Sequence, residues 1–272
     1  MKLVEVSGDD RGVVTVTLAD EANRNALSSA LLGELGAALD AADADPDVRV
    51  VVLANTGKVF CAGADLSEIS AAGQAGRGGR SGRAPADGGS PVLRGAGDLF
   101  GRFRRSPKPY VGRISGHCMA GGMGLAAALD ISIADEDSKF GFSEVRVGVA
   151  PAMISVVCLP KMSRADAAAA FLRGSRFTAR EAAEMGLINA AVPSEDLDAA
   201  VEAAVCDLLA GGPQALAACK QLLDRVPLMP LDEALNWTER FSAELFASDE
   251  AAEGMDAFLN KRRPQWAPES GC

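Results

Sequence analysis

Apolar residues fall along this chain in two rhythms. Runs rich in β-branched residues at Leu3 to Val6, Gly12 to Leu18, Arg49 to Ala54, Tyr110 to Ile114 and Ile131 to Ala134 predict short, mostly buried strands. Between them, apolar positions three and four apart predict helices over Leu27 to Ala42 and Gly122 to Leu129. Strands alternating with helices make this an α/β chain. From about Ser163 the pattern is helical only, with starts expected at Ser163, Thr178, Ser194 and Pro213, and a long pair over Leu231 to Phe246 and Asp249 to Leu259. One segment fits neither rhythm. Ala71 to Ser90 is glycine-rich with spaced arginines and reads as a mobile loop, whose Arg77, Arg80 and Arg83 would suit a lid over a phosphorylated ligand.

Composition narrows the functional classes. With 272 residues and 48% apolar content the chain can build a sizeable core. A formal charge of −10 argues against gripping nucleic acid or an anionic membrane, both of which need concentrated Lys and Arg. No stretch approaches the roughly twenty apolar residues of a membrane span, and acidic residues follow the first few positions, so a soluble cytoplasmic protein is expected. The six cysteines are scattered without a C-x-x-C pair, and His117 is the single histidine. Neither a metal site nor a disulfide framework is expected; the cysteines read as small apolar fillers, with an exposed thiol at Cys272.

Two strand-to-helix turns carry the candidate chemistry. The first, Gly57 to Leu66, runs from a strand through small residues to Asp65, a natural N-cap. The second, Ser115 to Leu125, clusters glycines where an apolar helix begins, exposing backbone N–H groups to an oxygen that becomes negative. Gly122-x-Gly124-x-x-Ala127 imitates a dinucleotide fingerprint, but the expected strand ends near Ile114, too far upstream. Neither G-x-x-x-x-G-K-[ST] nor G-x-S-x-G occurs. Glu144, about twenty residues after the glycine cluster in an otherwise apolar run, is a candidate proton carrier; by itself it would read as a helix-start acid or a partner for Arg146.

Taken in order, Asn23 to Ser28, Phe60 to Leu66, Gly116 to Gly124, Phe140 to Glu144 with Gly148 and Pro151, and Glu253 to Arg262 resemble the crotonase (enoyl-CoA hydratase/isomerase) superfamily over nearly the whole chain. The resemblance implies a spiral of ββα repeats over residues 1–195 carrying an acyl-CoA site, followed by a helical oligomerisation region over 196–272 that assembles a homotrimer or hexamer. It implies that Ala64 and Gly121 donate the two N–H groups of an oxyanion hole and that Glu144 moves the proton. Arg24, Ala26, Ala62, Gly63, Asp65, Leu66, Gly122, His117 and Lys261 are the implied substrate and coenzyme A contacts. No cofactor or metal is implied, since coenzyme A is part of the substrate.

The chain departs from the two-glutamate hydratase pattern at one position. Gly124 stands where the first glutamate would be, and only the second, Glu144, is kept. A single carboxylate suits a 3,2-enoyl-CoA isomerase, yet the segment Ser143 to Ser155 is similar to that of bacterial members assigned to hydration of branched or terpenoid-type enoyl-CoAs. The expectation is therefore an enoyl-CoA hydratase, with the isomerase and a non-catalytic acyl-CoA-binding homologue as alternatives.

Overall fold

A computed structural model describes residues 2–77, 91–268 and 272. Its first half is a strand-rich spiral: β1 (Val4–Gly8), β2 (Val13–Leu18), α1 (Ser29–Ala44), β3 (Val50–Asn55), β4 (Val59–Cys61), α2 (Leu66–Arg77), α3 (Pro91–Arg105), β5 (Tyr110–Ile114), β6 (His117–Met119), α4 (Gly121–Ala128), β7 (Ile131–Asp135), β8 (Lys139–Gly141) and α5 (Ala152–Cys158). There follow α6 (Arg164–Arg173), β9 (Phe177–Thr178), α7 (Ala179–Glu184), β10 (Ala190–Val192), α8 (Leu197–Ala210), α9 (Pro213–Arg225), α10 (Leu231–Phe246) and α11 (Asp249–Leu259).

Three repeats, β3-β4-α2, β5-β6-α4 and β7-β8-α5, each lay one strand in a large sheet, the next in a small one, and then a helix. The large sheet has the order β1-β2-β3-β5-β7-β10, antiparallel only between β1 and β2. The small sheet has the order β4-β6-β8-β9, with β4, β6 and β8 parallel. This is the crotonase-type spiral that the resemblance implies.

The large sheet is covered on both faces, which is why its strands read as continuous valine runs rather than alternating ones. Along β3, Val51 and Leu53 join the core that holds Leu31, Leu35 and Leu39 of α1, while Val50 and Val52 meet Leu197, Val201, Val205 and Leu209 of α8. Alternate side chains of a strand point to opposite faces, so one strand feeds two cores. Helix α8, which the expected division places beyond residue 195, thus lies directly on the sheet.

Several local expectations need correction. The segment 71–77 continues α2 and does not belong to a loop; Arg80 and Arg83 lie outside the described residues, as does most of the expected lid. Ser194 begins a single 3-10 turn, and the helix proper starts at Leu197. Cys272 is not a free thiol: it is bonded to Cys206 of α8, beside Arg11, whose guanidinium also reaches Glu202. A sequence separation of 66 hides such a pair from any spacing rule. Cys61, Cys118 and Cys158 are buried fillers as expected, and Cys219 is an exposed thiol.

Candidate active site

The three candidate residues follow the same end of the small sheet. Strands β4, β6 and β8 are parallel neighbours, with Cys61 opposite Cys118 and Cys118 opposite Phe140. Parallel strands end on the same side, so the chain leaves Cys61, Met119 and Gly141 towards one region. Ala64, Gly121 and Glu144 follow within three residues of those ends.

Ala64 is oriented by a loop from the N-terminal half. The Leu27 N–H donates to the Gly63 carbonyl at 2.7 Å, and Asp65 N–H donates to the Leu27 carbonyl at 3.2 Å. Gly63 C=O and Ala64 N–H belong to one trans peptide and point in opposite directions, so fixing the carbonyl on Leu27 aims the Ala64 N–H the other way. Among the described hydrogen bonds the Ala64 N–H has no acceptor. The motif from Asn23 to Ser28 holds this loop together: Ala62 N–H donates to the Arg24 carbonyl at 3.1 Å, and Asn23 Nδ2 donates to Asp65 at 3.0 Å. Buried Asn25 ties the same segment to the Val59 carbonyl at 2.8 Å.

Gly121 is the first residue of α4, where an N–H has no intrahelical acceptor and the helix dipole favours negative charge. A Cβ built on Gly121 would lie 3.3 Å from the Ala64 nitrogen and 3.2 Å from Leu27 Cδ1. The space where a side chain would stand thus borders the Ala64 nitrogen. Gly122 has a separate task, because a Cβ there would meet the Cys61 carbonyl at 2.5 Å; its absence lets α4 sit on β4. Ala120, between strand and helix, has φ 48° and ψ −118°, a glycine-type turn conformation that costs an alanine about 1–3 kcal/mol.

Glu144 lies in a 3-10 turn, Ser143–Val147, closed by Gly148 at φ 80°. The expected partner Arg146 turns away, donating to the carbonyl of Arg173 at 2.9 Å. Phe140 and Phe142, both fully buried, anchor the strand end before the turn, and Phe142 packs on Phe171 at a ring distance of 4.3 Å. Glu144 Oε2 is shielded from solvent and has no hydrogen-bond partner among the described residues. Desolvation holds this carboxyl above the usual carboxylate range, opposed only by a hydrogen bond from its own backbone.

Further along α4, Gly124 is walled by hydrocarbon. A Cβ on Gly124 would fall 2.5 Å from Ile154 Cγ2 and 2.7 Å from Phe100 Cζ. The first glutamate of the two-carboxylate pattern has no room here. Phe100 and Ile154 are invisible to motif reading, since one comes from α3 and the other from α5.

The remaining candidates are placed as follows. Ala62, Gly63 and Asp65 form the loop around Ala64, and Asp65 caps α2 by accepting from the N–H groups of Ser67 and Glu68 at 2.9 and 3.3 Å. Ala26 is buried beside Leu27, Leu66 is exposed at the start of α2, and Arg24 sits in a left-handed turn at φ 55°. His117 is engaged structurally: Nδ1 accepts the Lys139 N–H at 3.2 Å, and its own amide donates to the Lys58 carbonyl at 3.0 Å. Lys261, at φ 53°, lies just after α11. Two clefts lie elsewhere, about 300 Å³ between the large sheet and α8 and about 410 Å³ among α9, α10 and α11; neither is lined by Ala64, Gly121 or Glu144.

Two amides close to one another with no acceptor among the described hydrogen bonds, and one desolvated carboxyl in the turn after the adjoining strand, are groups of the kind that polarise a carbonyl and exchange a proton with a neighbouring carbon or water. Comparison with known proteins finds enoyl-CoA hydratases and their relatives. The chain is 34% identical over 255 residues to the enoyl-CoA hydratase EchA19 of Mycobacterium tuberculosis, covering 92% of this chain and 91% of that one. The crystal structure of an enoyl-CoA hydratase from Mycobacterium smegmatis superposes with a TM-score of 0.87 at 32% identity, covering 98% of this chain and 99% of the other. Pseudomonas aeruginosa AtuE superposes with a TM-score of 0.88 at 31% identity, covering 98% and 100%. The family model for enoyl-CoA hydratase/isomerase matches residues 8–269, and with the spiral and the strand-end site already in place the chain belongs to that family.

Proposed function

We propose that the protein is an enoyl-CoA hydratase that adds water across the 2,3 double bond of an enoyl-CoA thioester. The observation that carries this reading is the buried Oε2 of Glu144, which has no hydrogen-bond partner among the described residues and follows the same end of the small sheet as the Ala64 and Gly121 amides. The thioester oxygen accepts from Ala64 and Gly121. Glu144 takes a proton from water as the water oxygen bonds to the β-carbon, and the electron pair of the double bond moves into the enolate held by the amides. The protonated Glu144 then returns its proton to the α-carbon. One carboxylate completes the cycle because it is regenerated at the end, and no cofactor beyond the substrate's own coenzyme A is called on. Each fixed donor in a dry hole of this type contributes about 3 kcal/mol to stabilising the oxyanion.

One observation favours a second reading. With Phe100 and Ile154 filling the space beside Gly124, that position supplies no second carboxylate to share the protons of water. The same hole and Glu144 would serve a 3,2-enoyl-CoA isomerase, in which Glu144 removes a proton from the α-carbon and returns it to the γ-carbon. Loss of the conjugated absorbance from a 2-enoyl-CoA, with a 3-hydroxyacyl-CoA as product, supports the hydratase. Appearance of that absorbance from a 3-enoyl-CoA, without hydration, supports the isomerase. Tight acyl-CoA binding with neither product over a panel of straight and branched chains would make the protein a non-catalytic binder.

A homotrimer or a pair of trimers is part of the same proposal. Leu228, Leu231, Phe246, Phe258 and Leu259, all on or next to α10 and α11, are 81%, 73%, 67%, 83% and 77% exposed in the single chain. Apolar exposure of this density marks a surface that association covers. Light scattering on the purified protein is expected to give three or six times the 28.0 kDa of one chain. A monomer at micromolar concentration would remove this part of the proposal.

A further inference from the structure

We infer that Ala120 is a positioning residue that sets the spacing and direction of the two oxyanion amides; the inference rests on the proposed function of the site. Gly121 N–H belongs to the peptide that joins Ala120 to Gly121, so its direction follows the ψ of Ala120. That ψ, −118° at φ 48°, lies in the region that glycine occupies freely and alanine does not. It is held from both sides: Ala120 N–H donates to the Gly141 carbonyl of β8 at 2.9 Å, and the Ala120 carbonyl accepts from Met123 N–H at 2.8 Å.

The methyl group is itself a spacer. A Cβ built on Gly63 would lie 2.8 Å from the Ala120 Cβ and 3.1 Å from the Gly121 nitrogen, so the Ala120 methyl faces the residue just before Ala64 at close range. The loop carrying Ala64 is also held by Leu27, whose N–H donates to the Gly63 carbonyl. Ala120 therefore touches the first loop with its side chain and orients the second amide with its backbone. A glycine at position 120 would keep both backbone hydrogen bonds but remove the spacer and widen the φ and ψ range open to the turn, letting the Gly63 loop settle closer and the two N–H groups fall out of alignment without disturbing the core.

The test compares Ala120→Gly and Ala120→Ser with the unaltered protein, using a short straight-chain 2-enoyl-CoA. Three quantities are read: the infrared shift of the thioester carbonyl on binding, kcat and KM separately, and the melting temperature. Ala120→Gly is expected to melt at the same or a higher temperature, to lose much of the carbonyl shift, and to lower kcat about tenfold or more with KM nearly unchanged, as loosened alignment of reacting groups does. Ala120→Ser keeps a Cβ and is expected to retain the shift and the rate. A normal shift and kcat in Ala120→Gly would overturn the inference, as would a fall in melting temperature with the shift intact, which marks a structural filler. Absence of a carbonyl shift in the unaltered protein would remove the oxyanion hole itself, and this inference with it.

Discussion

Replacing Glu144 by glutamine is expected to lower kcat for the favoured enoyl-CoA by about 10³-fold, within the usual range for a general acid–base group, while KM changes little. Glutamine has nearly the same shape, and Oε2 has no hydrogen-bond partner to lose among the described residues, so the variant should fold. It should in fact be the more stable protein at neutral and alkaline pH. Desolvation raises the carboxyl above its ordinary value of 4.5, so the folded protein holds the proton more tightly than the unfolded chain does. Burial of the carboxylate therefore costs nothing below about 4.5 and costs most once the pH exceeds the raised folded value. Glu144→Gln should melt above the unaltered protein at pH 8, with the gap closing as the pH falls towards 4.5. Rate profiles offer a second readout, since turnover that needs the carboxylate should fall on the acid side at a pH above the ordinary carboxyl value. Full activity in the variant, or a melting difference independent of pH, would take Glu144 out of the chemistry.

Gly121→Ala should be nearly as damaging for a different reason. The added methyl would stand 3.3 Å from the Ala64 nitrogen, crowding an oxygen that accepts from both amides. It blocks one donor and displaces the carbonyl from the other, and loss of a single such donor costs about 10²–10³ in kcat. Leu27 Cδ1, at 3.2 Å from the added carbon, can shift slightly, so stability should change little. Steady-state kinetics beside a melting curve would separate the two effects. An alanine variant that turns over normally would mean that the thioester oxygen binds elsewhere.

Much of the long-range organisation was legible in the pattern of apolar residues. Tyr110–Ile114, Leu231–Phe246 and Asp249–Leu259 fall where periodicity predicts, and Ser163, Thr178 and Pro213 open helices as capping chemistry requires. The strands that build the candidate site were the least legible. Three residues each in β4, β6 and β8 are too few for alternation to register, and their neighbours supply the pairing. Missing β6 also made the glycine cluster look detached from any strand, although His117–Met119 leads directly into it. The helical course of 71–77 and the start of α3 were hidden by glycine content, which lowers helix propensity without forbidding a helix.

The sequence by itself determined which groups are available: two small residues after short apolar turns, one acid after the second of two phenylalanines, a glycine where a second acid would stand, and the ordered motifs that mark the family. Only the tertiary structure decided what those groups face. The direction of the Ala64 N–H depends on Leu27, 37 positions earlier, and the conformation of Ala120 depends on Gly141, 21 positions later. The closure of the wall at Gly124 depends on Phe100 and Ile154, from helices on either side of it in the chain. The desolvation that raises the Glu144 carboxyl is likewise a property of packed neighbours. Amide direction and dielectric environment are set by contacts between distant segments, and local residue pattern carries neither.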